Sequence, residues 1–323
     1  MDKHLSAKEI ENKILENYLE YFVLFGAFQS EFLTGLYKRY KSLENGSLVL
    51  YFAKKTHQTI LRKKDYDIDF DLSFNNFWKN HKELKIQPTT ILAISKDTFL
   101  PKETVRRKIL KLVKNKILIR TSKIIGWFPG EEYKKDYNQF IEKEILQVVK
   151  ITHFICKKFN YSISNKELEV EIKKRFSFYW FHYLNAQLMY IDLWRKQFKD
   201  VEIILIALQI LLLASKNTKK KISHSHLFNN PKIIDTKISN KIGVSATSIS
   251  DVTGIPRATC IRKLNLMVKL KIINQDNLTR RYYIMPDAFS LKLVSSETTK
   301  NVVKVFSEFF SICIKTINFK SAS

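Results

Sequence analysis

The sequence predicts a mainly α-helical fold built from two copies of one unit. The chain has 323 residues, enough for roughly two domains that each have a core. It contains only 7 glycines and 6 prolines, and this scarcity disfavours glycine-loop nucleotide folds and turn-rich β-sandwiches. Apolar residues make up 45% of the chain, which is typical of globular proteins. An internal repeat then indicates the two copies.

The repeat relates residues 101–117 to residues 256–272, which align without gaps. The identical pairs are Pro101/Pro256, Thr104/Thr259, Arg107/Arg262, Lys108/Lys263, Val113/Val268, Lys114/Lys269, Lys116/Lys271 and Ile117/Ile272. Upstream, Ile94/Ile249, Ser95/Ser250 and Thr98/Thr253 match at the same offset, and a shift two residues larger aligns Cys156 with Cys313. Chance similarity between two Lys-rich helices is the alternative. Because the matches extend beyond that helix, we predict copies at residues 1–160 and 161–323.

Each copy is predicted to run helix, helix, short helix, turn, helix, hairpin and long helix. The first helix is indicated by apolar residues that recur every three or four positions from Ile10 to Phe32, and its counterpart spans 176–194. The other predicted elements are second helices at 48–61 and 201–214, polar connectors at 63–71 and 216–239, and closing helices at 137–159 and 298–318.

A sharp turn between two helices is predicted near Gly254. This glycine lies where the first helix must end, at a position that suits a positive φ, and Pro256 can begin the second helix. Residues 249–264 resemble the helix-turn-helix of winged-helix transcription regulators, such as the IclR, GntR and MarR families. The first copy departs from the pattern, since Phe99 replaces the turn glycine.

The resemblance implies two tandem winged-helix domains, each with extra N-terminal and C-terminal helices and a small β-hairpin wing. The helix-turn-helix segments are placed at 90–116 and 245–271, and the wings at 117–129 and 272–285. Asp276 and Asn277 are a turn signal for the second wing.

The second helix of each motif has one face that should pack on its domain. Val105, Ile109, Leu112 and Val113 share that face in the first copy, and Cys260, Leu264, Met267 and Val268 share it in the second. The resemblance implies that residues at the helix start, and the Arg after the Thr, contact phosphates or base edges. The expected DNA contacts on these helices and wings are Lys102, Thr104, Arg106, Arg107, Lys111, Lys114, Arg120, Lys123, Arg257, Thr259, Arg262, Lys263, Lys269, Arg280 and Arg281.

The charge of the chain favours a polyanionic partner. The formal net charge is +25, although 45 Lys against 11 Arg also indicates the codon bias of an AT-rich genome. The position of the charge is more informative, because residues 101–123 are densely basic and Glu103 is their only acid.

We therefore expect sequence-specific binding of duplex DNA by a fused pseudo-dimer that regulates transcription. The two outer faces differ, with Lys111 aligned to Leu266, so the target should be an imperfect inverted repeat. The alternatives are a plasmid or phage replication initiator, a nucleoid-type or RNA-binding protein that uses charge alone, and an interaction module that has lost DNA binding. A small-molecule effector and further pairing of chains stay open.

Other functions are disfavoured. No P-loop, nucleophile elbow, HExxH or paired-Cys zinc pattern occurs, so we expect neither an enzyme nor a cofactor. His224 and His226 lack a third metal ligand, and Asp67, Asp69 and Asp71 lack the glycine and closing glutamate of a calcium loop; a polar strand edge or a helix entry is the safer interpretation.

A cytoplasmic protein is expected. Cys156, Cys260 and Cys313 are too few and scattered for a disulfide framework. No signal peptide is expected, and the apolar stretch at 201–214 is too short for a membrane span and is interrupted by charge.

Overall fold

The computed structural model describes residues 5–84, 88–121, 124–219, 243–283 and 296–321, and it is mainly helical with two small antiparallel hairpins. The helices are α1 (Ala7–Glu16), α2 (Tyr18–Tyr40), α3 (Leu43–Tyr66), α4 (Phe77–Glu83), α5 (Ile91–Thr98), α6 (Lys102–Lys114), α7 (Glu131–Lys158), α8 (Asn165–Lys174), α9 (Phe176–Phe198), α10 (Val201–Lys219), α11 (Ala246–Thr253), α12 (Arg257–Lys269) and α13 (Glu297–Ser321). The hairpins pair β1 (Leu118–Arg120) with β2 (Ile125–Trp127) and β3 (Asn274–Gln275) with β4 (Tyr282–Tyr283).

The two copies begin with the same helix cap. The Ser6 hydroxyl accepts from the N–H of Glu9 at 3.2 Å, and the Glu9 carboxylate accepts from the Ser6 N–H at 2.8 Å. Ser164 and Glu167 make the same pair of bonds at 3.2 Å and 2.9 Å. These capping boxes start α1 and α8 and extend the likeness of the copies upstream of the segments that the sequence aligned.

The backbone turns of the two copies also match. Phe99 (φ 54) and Gly254 (φ 75) are both left-handed at the end of the first motif helix. A non-glycine residue pays a steric cost there of roughly 1–2 kcal/mol, which the first copy tolerates. In the second copy a Cβ at position 254 would also lie 3.1 Å from Cγ of Lys38, on α2. Close packing of α2 therefore adds to the reason for glycine there.

The first predicted helix is in fact two. The helix expected from Ile10 to Phe32 breaks at Asn17, whose φ of −113° and ψ of 31° are not helical. The resulting helices pack on different partners, α1 against α7 and α2 against α10. Apolar periodicity continues across the break, so the sequence alone did not reveal it.

The chain forms two compact units that do not follow the boundary between the copies. The first unit comprises residues 1–16, 44–192 and 302–323, and the second comprises 17–43 and 193–301. The division at residue 160 thus separates the two sequence repeats but not the two compact units. Each compact unit contains helices from both copies. Three of the four boundaries between the units fall inside helices, in α3, α9 and α13, and the fourth falls at the break between α1 and α2.

The second unit contains a helix of the first copy. Helix α2 packs on α10 and α11, and its apolar side chains Tyr21, Phe25, Phe28 and Phe32 are buried. The amide of Gln209 on α10 donates to the Ser30 hydroxyl of α2. The core under the second motif is therefore completed by residues far away in sequence.

The first unit contains a helix of the second copy in the same way. Phe176, at the start of α9, lies with its ring 5.5 Å from that of Phe77 and 5.2 Å from that of His57. The Tyr183 hydroxyl of α9 donates to the Glu144 carboxylate of α7 at 2.6 Å. Helix α2 thus lies in the second unit and most of α9 in the first, an exchange of long aromatic helices in which α8 and most of α13 accompany α9.

Two buried histidines belong to the aromatic core of the first unit. His57 is fully buried, stacks on Phe77 at 4.7 Å, and neither ring nitrogen has a hydrogen-bond partner. Burial, with a smaller contribution from His81, lowers the pKa of His57 to about 3. Burial likewise lowers the pKa of His81 to about 4, although its Nε2 lies 2.9 Å from the Trp127 carbonyl oxygen. Both rings are neutral in the folded protein at pH 7.

We expect the exchanged helices to make each half of the chain dependent on the other. Fragments 1–160 and 161–323, expressed separately, should fail to fold because each lacks a long helix of its core. Expressed together, they should associate one to one and recover the helical circular dichroism of the intact chain. A folded monomer of residues 161–323 alone would contradict the exchange.

We expect acid to destabilise the first unit through its histidines. In the unfolded chain His57 takes up a proton near its ordinary pKa of 6.5, whereas in the folded protein its pKa is about 3. The contribution of neutral His57 to the unfolding free energy is therefore fully present above pH 6.5 and is lost as the pH falls toward 3. At pH 5 each histidine that stays neutral in the folded protein lowers the unfolding free energy by about 2 kcal/mol relative to pH 7. In H57F the rings still stack, and the loss of unfolding free energy between pH 7 and pH 5 should shrink by that amount in urea titrations. An unchanged loss would exclude this role of His57.

Candidate nucleic-acid interface

The turn before α6 and that before α12 are held by the same hydrogen bonds. The Thr90 hydroxyl caps α5 by accepting from the N–H of Ala93 at 3.1 Å. The Ser95 hydroxyl donates to the Leu100 carbonyl at 2.6 Å, and the Thr98 hydroxyl donates to the Ile94 carbonyl at 2.6 Å.

The second copy repeats this arrangement at Ser245, Ser250 and Thr253. Ser245 caps α11 by accepting from the N–H of Ser248 at 3.0 Å. Ser250 donates to the Ile255 carbonyl at 2.7 Å, and Thr253 to the Ile249 carbonyl at 2.7 Å. Each three-residue turn is thereby rigid, and the direction of the helix that follows it is set.

The inner faces of α6 and α12 are apolar, as their periodicity predicted. The buried side chains are Val105, Ile109 and Leu112 on α6 and Cys260, Leu264 and Met267 on α12, while Val113 and Val268 are half-buried at the edges. The opposite faces are therefore directed to solvent.

The solvent face of α6 is strongly basic. The exposed predicted contacts are Lys102, Arg106, Arg107, Lys111 and Lys114, while Thr104 is half-buried. Glu103 is the one acid on this helix, and its carboxylate accepts from Arg106 Nε at 2.9 Å and from Arg106 Nη2 at 2.7 Å. Arg106 is thus paired in the isolated protein, and because both partners are exposed the pair is weak.

The solvent face of α12 is less basic and has no acid. Arg257, Arg262 and Lys269 are exposed, and Thr259 is half-buried. Arg257 Nε donates to the Thr247 hydroxyl of α11 at 3.1 Å, which ties the two motif helices together. Leu266 is 42% exposed where α6 carries Lys111, as the alignment predicted.

The structure corrects the prediction for Lys263, which does not lie on the solvent face. Its side chain is buried, and its ammonium contacts the carboxylates of Asp200 and, at 3.1 Å, Glu202. Burial alone would lower the pKa of Lys263, but these two carboxylates raise it. One residue after Arg262, the helix has turned by about 100° toward the start of α10.

The aligned residue Lys108 has the same structural role in the first copy. Its ammonium lies 2.7 Å from the Glu44 carboxylate at the start of α3, and its side chain is largely covered. The sequence identity of Lys108 and Lys263 thus reflects an ion pair with the helix beneath in both units, buried at Lys263 and partly exposed at Lys108.

The hairpins carry the remaining predicted contacts. Arg120 is exposed on β1, and Lys123 lies outside the described residues. Arg280 and Arg281 are exposed beside β4, and Arg281 Nη1 donates to the Gly243 carbonyl at 3.2 Å. Tyr282 also pairs with Val244, which anchors the second hairpin to the segment before α11.

A cleft of about 320 Å³ opens in the first unit between α3, the start of α5 and β2. Lys55, Arg62, Thr90 and Phe128 are among its lining residues. The cation of Lys55 is 3.8 Å from the Asp97 carboxylate, so the positive charge of the cleft is partly balanced.

The weaker sequence candidates do not come together into a metal site within the part of the chain that the structure describes, where no three potential ligands cluster. Residues 67–71 form a loop before α4, in which the Asp71 carboxylate accepts from the Ser73 N–H at 2.7 Å. His224 and His226 lie outside the described residues. Among the helices described, none has the length and apolar character needed to cross a bilayer.

Comparison of the chain with protein-family models, with curated proteins and with solved structures finds no match. The candidate interface therefore rests on geometry alone: two motif helices with basic outer faces, each followed by a hairpin with exposed arginine.

Substitution of Lys263 should affect stability far more than substitution of a neighbouring exposed lysine. In K263M the carboxylates of Asp200 and Glu202 lose their cation in a mostly buried site, at a cost of about 2–3 kcal/mol in unfolding free energy. The control K269M changes an exposed lysine of the same helix and should cost less than about 0.5 kcal/mol. Equal losses for the two variants in chemical denaturation would contradict the structural role of Lys263.

Proposed function

We propose that this chain is a sequence-specific duplex DNA-binding protein that acts as a fused pseudo-dimer and regulates transcription. The observation that carries the proposal is the outer face of α6, where five exposed cations accompany a single acid that is already paired. Helix α12 presents three more cations in the same structural setting. The sequence of helix, three-residue turn, helix and hairpin in each copy supports a tandem winged-helix fold.

The dimensions of duplex DNA suit these elements. The major groove is about 12 Å wide and admits one helix, whose exposed Lys and Arg side chains can contact phosphates and base edges. Arg107 and Arg262 lie at matching positions, exposed and near the middle of their helices. Their guanidinium groups suit guanine O6 and N7, so we assign them base contacts.

The two halves of the target are expected to differ. Helix α6 has Lys111 where α12 has Leu266, which suits a phosphate in one half-site and a thymine methyl in the other. With duplex DNA as its partner, the protein would belong to the cytoplasmic nucleoid. We propose a binding protein without catalytic chemistry, and the cleft beside α3 is where a small-molecule effector would fit.

Binding by charge alone is the second candidate. It is favoured by the composition of the chain, which has 45 Lys and only 11 Arg. Lysine acts on phosphates as a point charge and distinguishes bases poorly. Such a nucleoid or RNA-binding protein would bind unrelated sequences with similar affinity.

Loss of exposed charge from α6 should weaken DNA binding and lower its salt dependence. In K111A/K114A the slope of log affinity against log salt should fall by about two, one for each lost phosphate contact. The double variant K143A/K150A removes two exposed lysines from α7 and should leave the slope unchanged. Fluorescence anisotropy with a labelled duplex measures both, and equal slopes in the two variants would contradict docking through α6.

Sequence reading is tested by selection from sheared genomic DNA at about 150 mM salt. The intact chain should enrich one motif with two unequal arms, whereas R107A/R262A should bind without enriching it. Enrichment of AT-rich DNA with no motif would instead support binding by charge alone.

A further inference from the structure

Leu278 is an apolar side chain that its own unit leaves almost wholly uncovered. It lies at the tip of the hairpin between β3 and β4 and is 91% exposed. Leu266 on α12 and Leu270 directly after this helix are different, because each is covered over about half its surface. Because burial of apolar surface is favourable, contact between this leucine and an apolar surface of a partner would lower the free energy.

The turn that carries Leu278 is held by a network of hydrogen bonds. The Asp276 N–H donates to the Arg281 carbonyl at 2.9 Å, and the Arg280 N–H donates to the Asp276 carbonyl at 2.9 Å. The Asp276 carboxylate accepts from the N–H groups of Thr279 at 2.6 Å and Leu278 at 3.1 Å, and from the Thr279 hydroxyl at 2.8 Å. Leu278 is therefore presented in one place, and little order has to be gained when it binds.

The surroundings of Leu278 suit a polyanion. Arg280 and Arg281 are exposed two and three residues beyond it, and Asn277 is exposed beside it. Tyr66 and Ile68 are as exposed, at 93% and 86%, but they lie in the acidic segment 65–71, which repels phosphate. Apolar exposure and positive charge thus coincide at the second hairpin.

We propose that Leu278 is a wedge that enters the minor groove, partly unstacks one base step and kinks the duplex. This inference rests on the proposed binding of duplex DNA. The minor groove is about 6 Å wide, and the tip residues Asn277, Leu278 and Thr279 are small enough to enter it. An apolar side chain flanked by arginine and asparagine is the combination by which proteins unstack base steps and bend DNA by roughly 20–90°.

The kink is confined to the half-site bound by the second hairpin. In the first hairpin the loop after Arg120 is Thr-Ser-Lys-Ile, and its apolar residue, Ile124, is half-buried and therefore not presented as Leu278 is. The protein therefore introduces one kink, and pyrimidine–purine steps, which unstack easily, are favoured at its position.

The bend is measured by energy transfer between dyes on the two ends of a duplex of about 30 base pairs. The duplex carries the motif enriched by selection or, without a motif, an AT-rich sequence. The intact chain should bring the ends closer. L278A should bind within roughly threefold of the intact chain and leave the duplex straight, whereas L278M should retain the bend.

The control L270A removes another exposed leucine and should bend DNA like the intact chain. Permanganate, which oxidises unstacked thymines, should mark a single step with the intact chain and none with L278A. Binding without bending, or an equal bend with L278A, overturns the wedge and leaves the proposed function standing. No binding by the intact chain overturns both.

Discussion

The packing of α2 against α10 is the interaction on which the second unit depends. Tyr21, Phe25, Phe28 and Phe32 are all buried on α2, and each buried aromatic side chain of this kind stabilises a core by about 1.5–3 kcal/mol. The helix belongs to the first copy in sequence and to the second unit in space. Since most of α9 lies in the first unit, each motif has a core that includes residues of the other copy.

The same packing determines which basic residues are available to a partner. The ammonium groups of Lys108 and Lys263 form ion pairs with carboxylates at the starts of α3 and α10, and these pairs anchor the motif helices on the helices beneath them. The turn hydrogen bonds of Ser95 and Ser250 then set the direction of those helices. The remaining cations are left on the outer faces, where a polyanion can reach them.

The copies have diverged in their outer faces while conserving their internal geometry. The caps, the left-handed turn residue and the ion pair with the helix beneath recur in both, even though Phe99 replaces Gly254. In contrast, the outer face of α12 has fewer cations than that of α6, and the second hairpin carries the exposed Leu278 at its tip. Under the proposed DNA binding, the first copy would supply most of the charge and the second copy the wedge.

The helical class, the turn, and the helices α6 and α12 could be predicted from the sequence, because their apolar period, turn chemistry and charge act within a few residues. The sequence also predicted that most cations of these two helices lie on their solvent faces. The break at Asn17, the exchange of α2 with most of α9, and the burial of Lys263 depend on tertiary packing. They could not be predicted because periodicity shows which face of a helix is buried but not which distant helix or carboxylate covers it.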